Sequence, residues 1–277
     1  MTRRPFITSS SNPRLKGIRR LRRCSPREGG DVFLVEGYRQ LVSALEAGAR
    51  VSQLYVSPEL YLGNSDAELV SVAERRGAVV TELSAAAFES ISRQVRADGI
   101  TAVVERWPTT FGALPLGPRP LLLVAETVER PGNLGTIIRT ACGAGADALV
   151  VCDGATDAFH PEAVRGSAGT VFKLPIAESE TPAAISWLCE RRIRIVVATP
   201  DARRTHWDAD FTGSTAVVVG NERYGVTRRW LEVADETVRI PMPGPADSLN
   251  VAVAAGVVLF EAAYQRSLKR AARGPST

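Results

Sequence analysis

LLLVAETVERPGNLGTIIR, residues 121–139, passes from one kind of secondary structure to another within a single stretch. Residues 121–125 are an unbroken apolar run, as a strand buried on both faces of a parallel sheet requires. Pro131-Gly132 turns the chain, and residues 133–142 read as a helix. Strand, turn and helix in that order make an α/β unit, and open parallel sheets bind ligands beyond the carboxyl ends of their strands. Asn133 stands near a helix N-terminus, where free backbone N–H groups favour an anion, and Arg139 follows less than two turns along.

Two more apolar strands are interrupted at the same end. In VVVGNERYGV (217–226), valines run into Gly220-Asn221-Glu222. Gly220 permits close backbone approach to a ligand, and Gly225 permits a turn with positive φ. In VRIPMPGPADSLNV (238–251), Pro241, Pro243, Gly244 and Pro245 make a stiff loop after Ile240. Ser248 caps the helix that follows, leaving Asn250 in the first turn with polar work available. Around these motifs, further strands are expected at 148–152, 171–174, 193–198, 215–219 and 237–240. Helices are expected at 161–168, 182–191, 227–233 and 249–266.

Together the three segments resemble the signature motifs of the SpoU/TrmH RNA 2′-O-ribose methyltransferases of the SPOUT superfamily, over roughly residues 121–266. The matching features are the Asn133 to Arg139 spacing, the Gly220-Asn221-Glu222 strand end, and Ile240-Pro241-Met242 followed by Ser248-Leu249-Asn250. The resemblance implies an α/β knot: a parallel sheet with helices on both faces and a deep C-terminal trefoil knot, which general rules of chain connection would exclude. It implies S-adenosylmethionine as cofactor, held by Gly220, Asn221, Glu222, Ile240, Pro241, Met242, Ser248, Leu249 and Asn250. Asn133, Arg139, Glu222, Ser248 and Asn250 are the implied catalytic residues, with Arg139 and Arg130 toward the RNA. It further implies a homodimer through the knot domain and an RNA substrate, 23S rRNA ahead of tRNA. Similarity to actinomycete members that confer antibiotic resistance implies a self-resistance role beside housekeeping modification. A non-catalytic RNA-binding protein would be expected to have lost Arg139, Asn250 or the Gly220 turn, and all are present.

The chain of 277 residues suits two domains. Residues 105–120 hold four prolines and two glycines, which set a linker at 107–120 between a domain at 1–106 and the catalytic domain at 121–277. The N-terminal part alternates strands (32–35, 51–56, 78–81, 100–104) with helices (38–47, 66–76, 85–92), a small α/β domain. Ser11-Asn12-Pro13 and Phe33-Leu-Val-Glu36-Gly37 look like the L30e-like RNA substrate-binding domain that many family members carry.

Charge separates the two parts. The net charge is +4, yet residues 1–30 hold nine Lys/Arg and one acid, Glu28, while the rest holds 25 bases against 29 acids. A helix from Pro13 carries Leu15, Ile18 and Leu21 on one stripe and Arg14, Lys16, Arg19, Arg20, Arg22 and Arg23 around it. One-signed charge without acidic partners reads as a phosphate-contacting arm ahead of a merely solvated helix face, and Arg3, Arg4 and Arg27 complete the nine bases of this stretch.

Other chemistries find little support. Cys24, Cys142, Cys152 and Cys189 are scattered and the two histidines, His160 and His206, are apart from them, so no metal site is expected. Gly143-Ala-Gly145-Ala-Asp-Ala148 is formally GxGxxA, but it follows a helix and precedes a strand, the reverse of a dinucleotide site. No signal-peptide segment is legible and no apolar run reaches about 18–20 residues, so a cytoplasmic protein without membrane contact is expected.

Overall fold

The computed structural model describes residues 4–23, 30–92 and 96–272. Arg3, Cys24, Arg27 and Glu28 lie outside the described residues, as does the side chain of Arg23. In chain order the elements are β1 (Phe6–Ile7), α1 (Pro13–Arg23), β2 (Val32–Glu36), α2 (Tyr38–Glu46), β3 (Val51–Val56), α3 (Asp66–Arg75), β4 (Val79–Leu83), α4 (Ala85–Glu89) and β5 (Ile100–Glu105). Then come β6 (Leu121–Glu126), α5 (Pro131–Gly143), β7 (Ala148–Cys152), α6 (Pro161–Gly166), β8 (Ile176–Ser179), α7 (Thr181–Glu190) and β9 (Arg194–Ala198). The chain closes with β10 (Arg204–Thr205), β11 (Thr215–Val219), α8 (Arg228–Val233), β12 (Glu236–Arg239) and α9 (Val251–Ala271). Contacts divide it into two units, one of Met1–Trp107 with Asp157–Lys173, the other of Pro108–Thr156 with Leu174–Thr277.

In the first unit a mixed sheet runs β1-β4-β3-β5-β2, with β2 and β3 antiparallel to β5 and β4 parallel to β1 and β3. Asn12 caps α1 by accepting the Arg14 N–H at 2.9 Å, and Leu15 and Ile18 are buried against the sheet with Phe88 and Ile91. Arg22 stands four residues after Ile18, on that same inward stripe, and is itself buried. Its guanidinium donates to Glu36 Oε1 at 2.6 and 3.0 Å. Arg22 is therefore a core ion pair and not part of a phosphate-contacting face. Arg19 is half-buried, donating to the Ser10 carbonyl and Ser90 Oγ, and Arg4 pairs with Glu74 and Glu82. Arg14, Lys16 and Arg20 remain exposed.

Residues 171–174 are not a strand. Ala168 and Gly169 both take positive φ (51° and 89°), turning the chain into a single 3-10 turn at Thr170–Phe172. The apolar residues there are used in packing: Phe172, Phe159, Phe33 and Trp107 form an aromatic cluster with ring centroids 4.7–6.1 Å apart. The strand begins later, at Ile176.

The second unit is built on a wholly parallel sheet in the order β10-β12-β9-β11-β6-β7-β8. β6, β7 and β11 are buried at every residue, as a sheet covered on both faces demands. Parallel pairing places the carboxyl ends of all these strands along one edge. α9 crosses back to pack on α5 and β11. By length and composition α9 could cross a bilayer; here Val251, Ala252, Ala255, Val258, Leu259 and Ala262 are buried against the unit.

Candidate active site

At the carboxyl edge of β9, β11 and β12 lies a cavity of about 490 Å³, within the roughly 300–1,000 Å³ of small-molecule sites. Of the residues expected at the cofactor, Gly220, Asn221, Glu222, Ile240, Met242, Ser248 and Leu249 line it, whereas Pro241 and Asn250 do not. Thr199, Pro200 and Asp201, after β9, also line it and escaped the sequence reading. They were legible by the rule that marked the other motifs, because Ala198-Thr199-Pro200-Asp201 is another apolar strand running into polar residues.

The turn that forms one wall is over-determined. The N–H of Asn221 donates to the Gly225 carbonyl and the N–H of Gly225 to the Asn221 carbonyl, both at 2.9 Å. Asn221 Oδ1 accepts the N–H groups of Arg223 and Tyr224, and its Nδ2 donates to Glu129 Oε1 at 3.0 Å and to the Thr127 carbonyl at 3.1 Å. Gly225 takes φ 69°, as its place in the turn implies. Gly220 has a reason to be glycine that the sequence did not show: a Cβ there would collide with the Gly225 carbonyl, so the chain's own closure needs glycine. Glu126, fully buried at the end of β6, secures the far end of the turn by accepting from Thr227 N–H and Oγ1, both at 2.7 Å, and from Thr181 Oγ1 at 3.3 Å.

A hydrogen-bond chain joins the three motifs beside the cavity. Asn250 Nδ2 donates to Asn133 Oδ1 at 3.2 Å, and Asn133 Nδ2 donates to Glu222 Oε1. Asn250, not Ser248, caps α9, since its Oδ1 accepts the Ala252 N–H at 2.9 Å. Residues 248–249 stay outside the helix, so the cap falls two positions later than the sequence suggested. Glu222 belongs both to this chain and to the cavity wall. Ser248 faces the cavity, while Arg130 and Arg139 are exposed, outside its lining, and have no hydrogen-bond or ion-pair partner among the described residues.

The remaining nucleophile and base types stand elsewhere. His160 Nδ1 accepts the Glu162 N–H at the start of α6, and neither it nor the buried His206 lines the cavity. Burial pushes the Cys152 thiol well above the usual thiol range, so it stays neutral. Among the described residues no group of His, Cys, Asp and Glu could hold a metal ion.

An all-parallel sheet with a cavity at its carboxyl edge, walled by the second and third motifs and tied by hydrogen bonds to Asn133 of the first, is the architecture of an α/β RNA methyltransferase. Residues 120–260 match the SpoU rRNA Methylase family and residues 12–102 match the MRM3-like substrate binding domain. The chain belongs to the SpoU rRNA methylase family. It is 33% identical to the 23S rRNA (uridine(2479)-2′-O)-methyltransferase of Streptomyces viridochromogenes, over 88% of this chain and 86% of that protein. It is 31% identical to the 23S rRNA (guanosine(2553)-2′-O)-methyltransferase RlmP of Bacillus subtilis, over 92% and 97%. The crystal structure of the SpoU methyltransferase AviRb from Streptomyces viridochromogenes in complex with AdoMet superimposes with a TM-score of 0.85 at 30% identity, over 92% of this chain and 98% of that one.

SpoU methylases use S-adenosylmethionine, and the cavity suits it. Val219, Leu231, Ile240 and Leu249 offer apolar surface to a planar base, and Asp201, Glu222 and Asp247 offer negative charge to a cationic ligand.

Proposed function

We propose that the protein methylates a ribose 2′-hydroxyl in 23S rRNA, using S-adenosylmethionine held in the cavity at the ends of β9, β11 and β12. The observation that carries this reading is the Asn250–Asn133–Glu222 hydrogen-bond chain, which ties the exposed motif of α5 to the cavity wall. The relatives named as 23S rRNA 2′-O-methyltransferases support the choice of substrate. The resemblance to actinomycete resistance enzymes adds protection of the ribosome from an antibiotic to the proposal, and the cytoplasm is the compartment in which it acts.

The bound cofactor supplies an electrophilic methyl group on a sulfonium sulfur. A ribose hydroxyl is a poor nucleophile at neutral pH and needs its developing charge stabilised as it attacks. The Arg139 guanidinium binds the flanking phosphate and stabilises the forming alkoxide, while phosphate or water takes the proton. Asn133, Glu222 and Asn250 hold one another in place, a fixed frame that would orient a ribose hydroxyl toward a cofactor in the cavity, and Ser248 borders the same space. Arg130 adds a phosphate contact at the N-cap of α5. The N-terminal unit, with Arg14, Lys16 and Arg20 exposed on α1, holds the RNA.

The C-terminal segment is threaded as a trefoil knot in this reading; the return of the chain from β12, beyond β9, to α9 on α5 and β11 supports it. The functional unit is a homodimer. Val253, Phe260, Tyr264 and Leu268 leave an apolar stripe 51–59% exposed along the outer face of α9, which a second copy would cover. Phe260→Glu is expected to yield monomers by light scattering; a wild-type chain that is monomeric and active would refute the dimer. The function itself is tested with the purified full chain, labelled S-adenosylmethionine, and 23S rRNA from cells lacking the gene. Incorporation mapped to one 2′-hydroxyl is expected; transfer to tRNA alone, or no cofactor binding at millimolar concentration, would overturn it.

A further inference from the structure

The wall of the cavity carries a feature that methyl transfer itself does not use. Tyr224 is 73% exposed, the highest value among the large hydrophobic side chains of the described residues. It sits on a closed turn, where its own N–H is held by Asn221 Oδ1 at 3.1 Å and the Asn221–Gly225 bridge closes beneath it. An aromatic ring on a mobile loop could fold down onto apolar surface; here the backbone presents it outward. The Arg223 guanidinium lies over the ring, 5.2 Å from its centroid. Glu222, the residue before this pair, is bonded to Asn133, and both Glu222 and Tyr224 line the cavity.

We propose that Tyr224, flanked by Arg223, is a stacking platform for an unpaired RNA base next to the ribose being methylated. The proposal rests on the reading that RNA is the substrate and that the cavity holds the cofactor. Unpaired bases are recognised by stacking on aromatic rings and guanidinium planes, and a pre-ordered ring loses little freedom when a base settles on it. The platform belongs to the catalytic unit, so it orients the nucleotide that reacts, whereas phosphate contacts on α1 only position the RNA.

The test compares Tyr224→Ala and Tyr224→Trp in the full chain, with the same 23S rRNA probe. Tyr224→Ala is expected to raise the KM for RNA roughly ten- to a hundredfold, with the cofactor dissociation constant, measured by calorimetry, within about twofold of wild type. Tyr224→Trp is expected to restore the KM to within a few-fold, and its added indole emission to be quenched by RNA and not by cofactor alone. Weaker cofactor binding with an unchanged RNA KM would assign the ring to the cofactor and overturn the proposal. Unchanged constants in both would leave an exposed tyrosine with no such role. A wild-type chain that methylates no RNA would instead sink the functional reading, so the two failures are separable.

Discussion

Helices α1 and α5 both begin at a proline, and arginines mark both: Arg14, Arg19, Arg20, Arg22 and Arg23 on α1, Arg130 at the cap of α5 and Arg139 within it. On α1, two of those side chains are used by the fold itself. Arg22 is buried against Glu36, and Arg19 ties the helix to Ser10 and Ser90. On α5, Arg139 stands exposed with no hydrogen-bond or ion-pair partner among the described residues. The dense run of positive charge is thus the more structural of the two, and the isolated arginine is the one left available to a ligand. Charge density along a sequence reports how much positive charge is present; partners distant in the chain decide how much of it is free.

Arg22→Ala should break the comparison most severely. Removing one member of a buried ion pair takes the guanidinium away from the buried Glu36 carboxylate, a change that costs about 3–5 kcal/mol in such pairs, so urea denaturation should show a large loss of stability. If stability is unchanged while RNA binding weakens, Arg22 is a ligand-facing residue after all. Arg139→Ala should leave stability and cofactor affinity within a few-fold and lower the rate of methyl transfer about 10²–10³-fold, the usual loss when a charge-stabilising donor is removed. Loss of cofactor binding together with transfer would show that Arg139 serves the cavity and not the RNA.

The smallest effect is expected from the exposed side of α1. Deleting residues 1–30 would remove Leu15 and Ile18 from the core, so neutralisation is the cleaner probe. Replacing Arg14, Lys16 and Arg20 together by Gln should leave the fold intact and flatten the dependence of log RNA affinity on log salt by about 2–3 units. An unchanged slope would reduce the exposed face of α1 to a solvated surface.

The particulars differ in how far local pattern reached. The strands β6, β7, β9 and β11 were legible because strands covered on both faces carry near-continuous apolar runs, a property written in consecutive residues. The segment 171–174 carried the same kind of signal and misled, since Phe172 satisfies its hydrophobicity in an aromatic cluster with residues more than sixty positions away. The site divides likewise. Gly220, Glu222, Ile240 and Leu249 were recognisable from motif and spacing, and they do border one cavity. Glu126 was passed over, because a carboxylate at the end of an apolar strand shows its role only when Thr181 and Thr227 are seen donating to it.

By itself the amino-acid sequence determined the α/β class, the motifs at the carboxyl ends of the strands and the family to which the chain belongs, because periodicity and motif spacing are local. Only the tertiary structure decided that Asn250 caps α9 while reaching Asn133, that Gly220 is needed for the chain's own closure, and that Arg22 lies inside. Each of those depends on a partner atom supplied by a remote segment. Whether a polar side chain is spent on the fold or left for a ligand is settled by that partner's position in space.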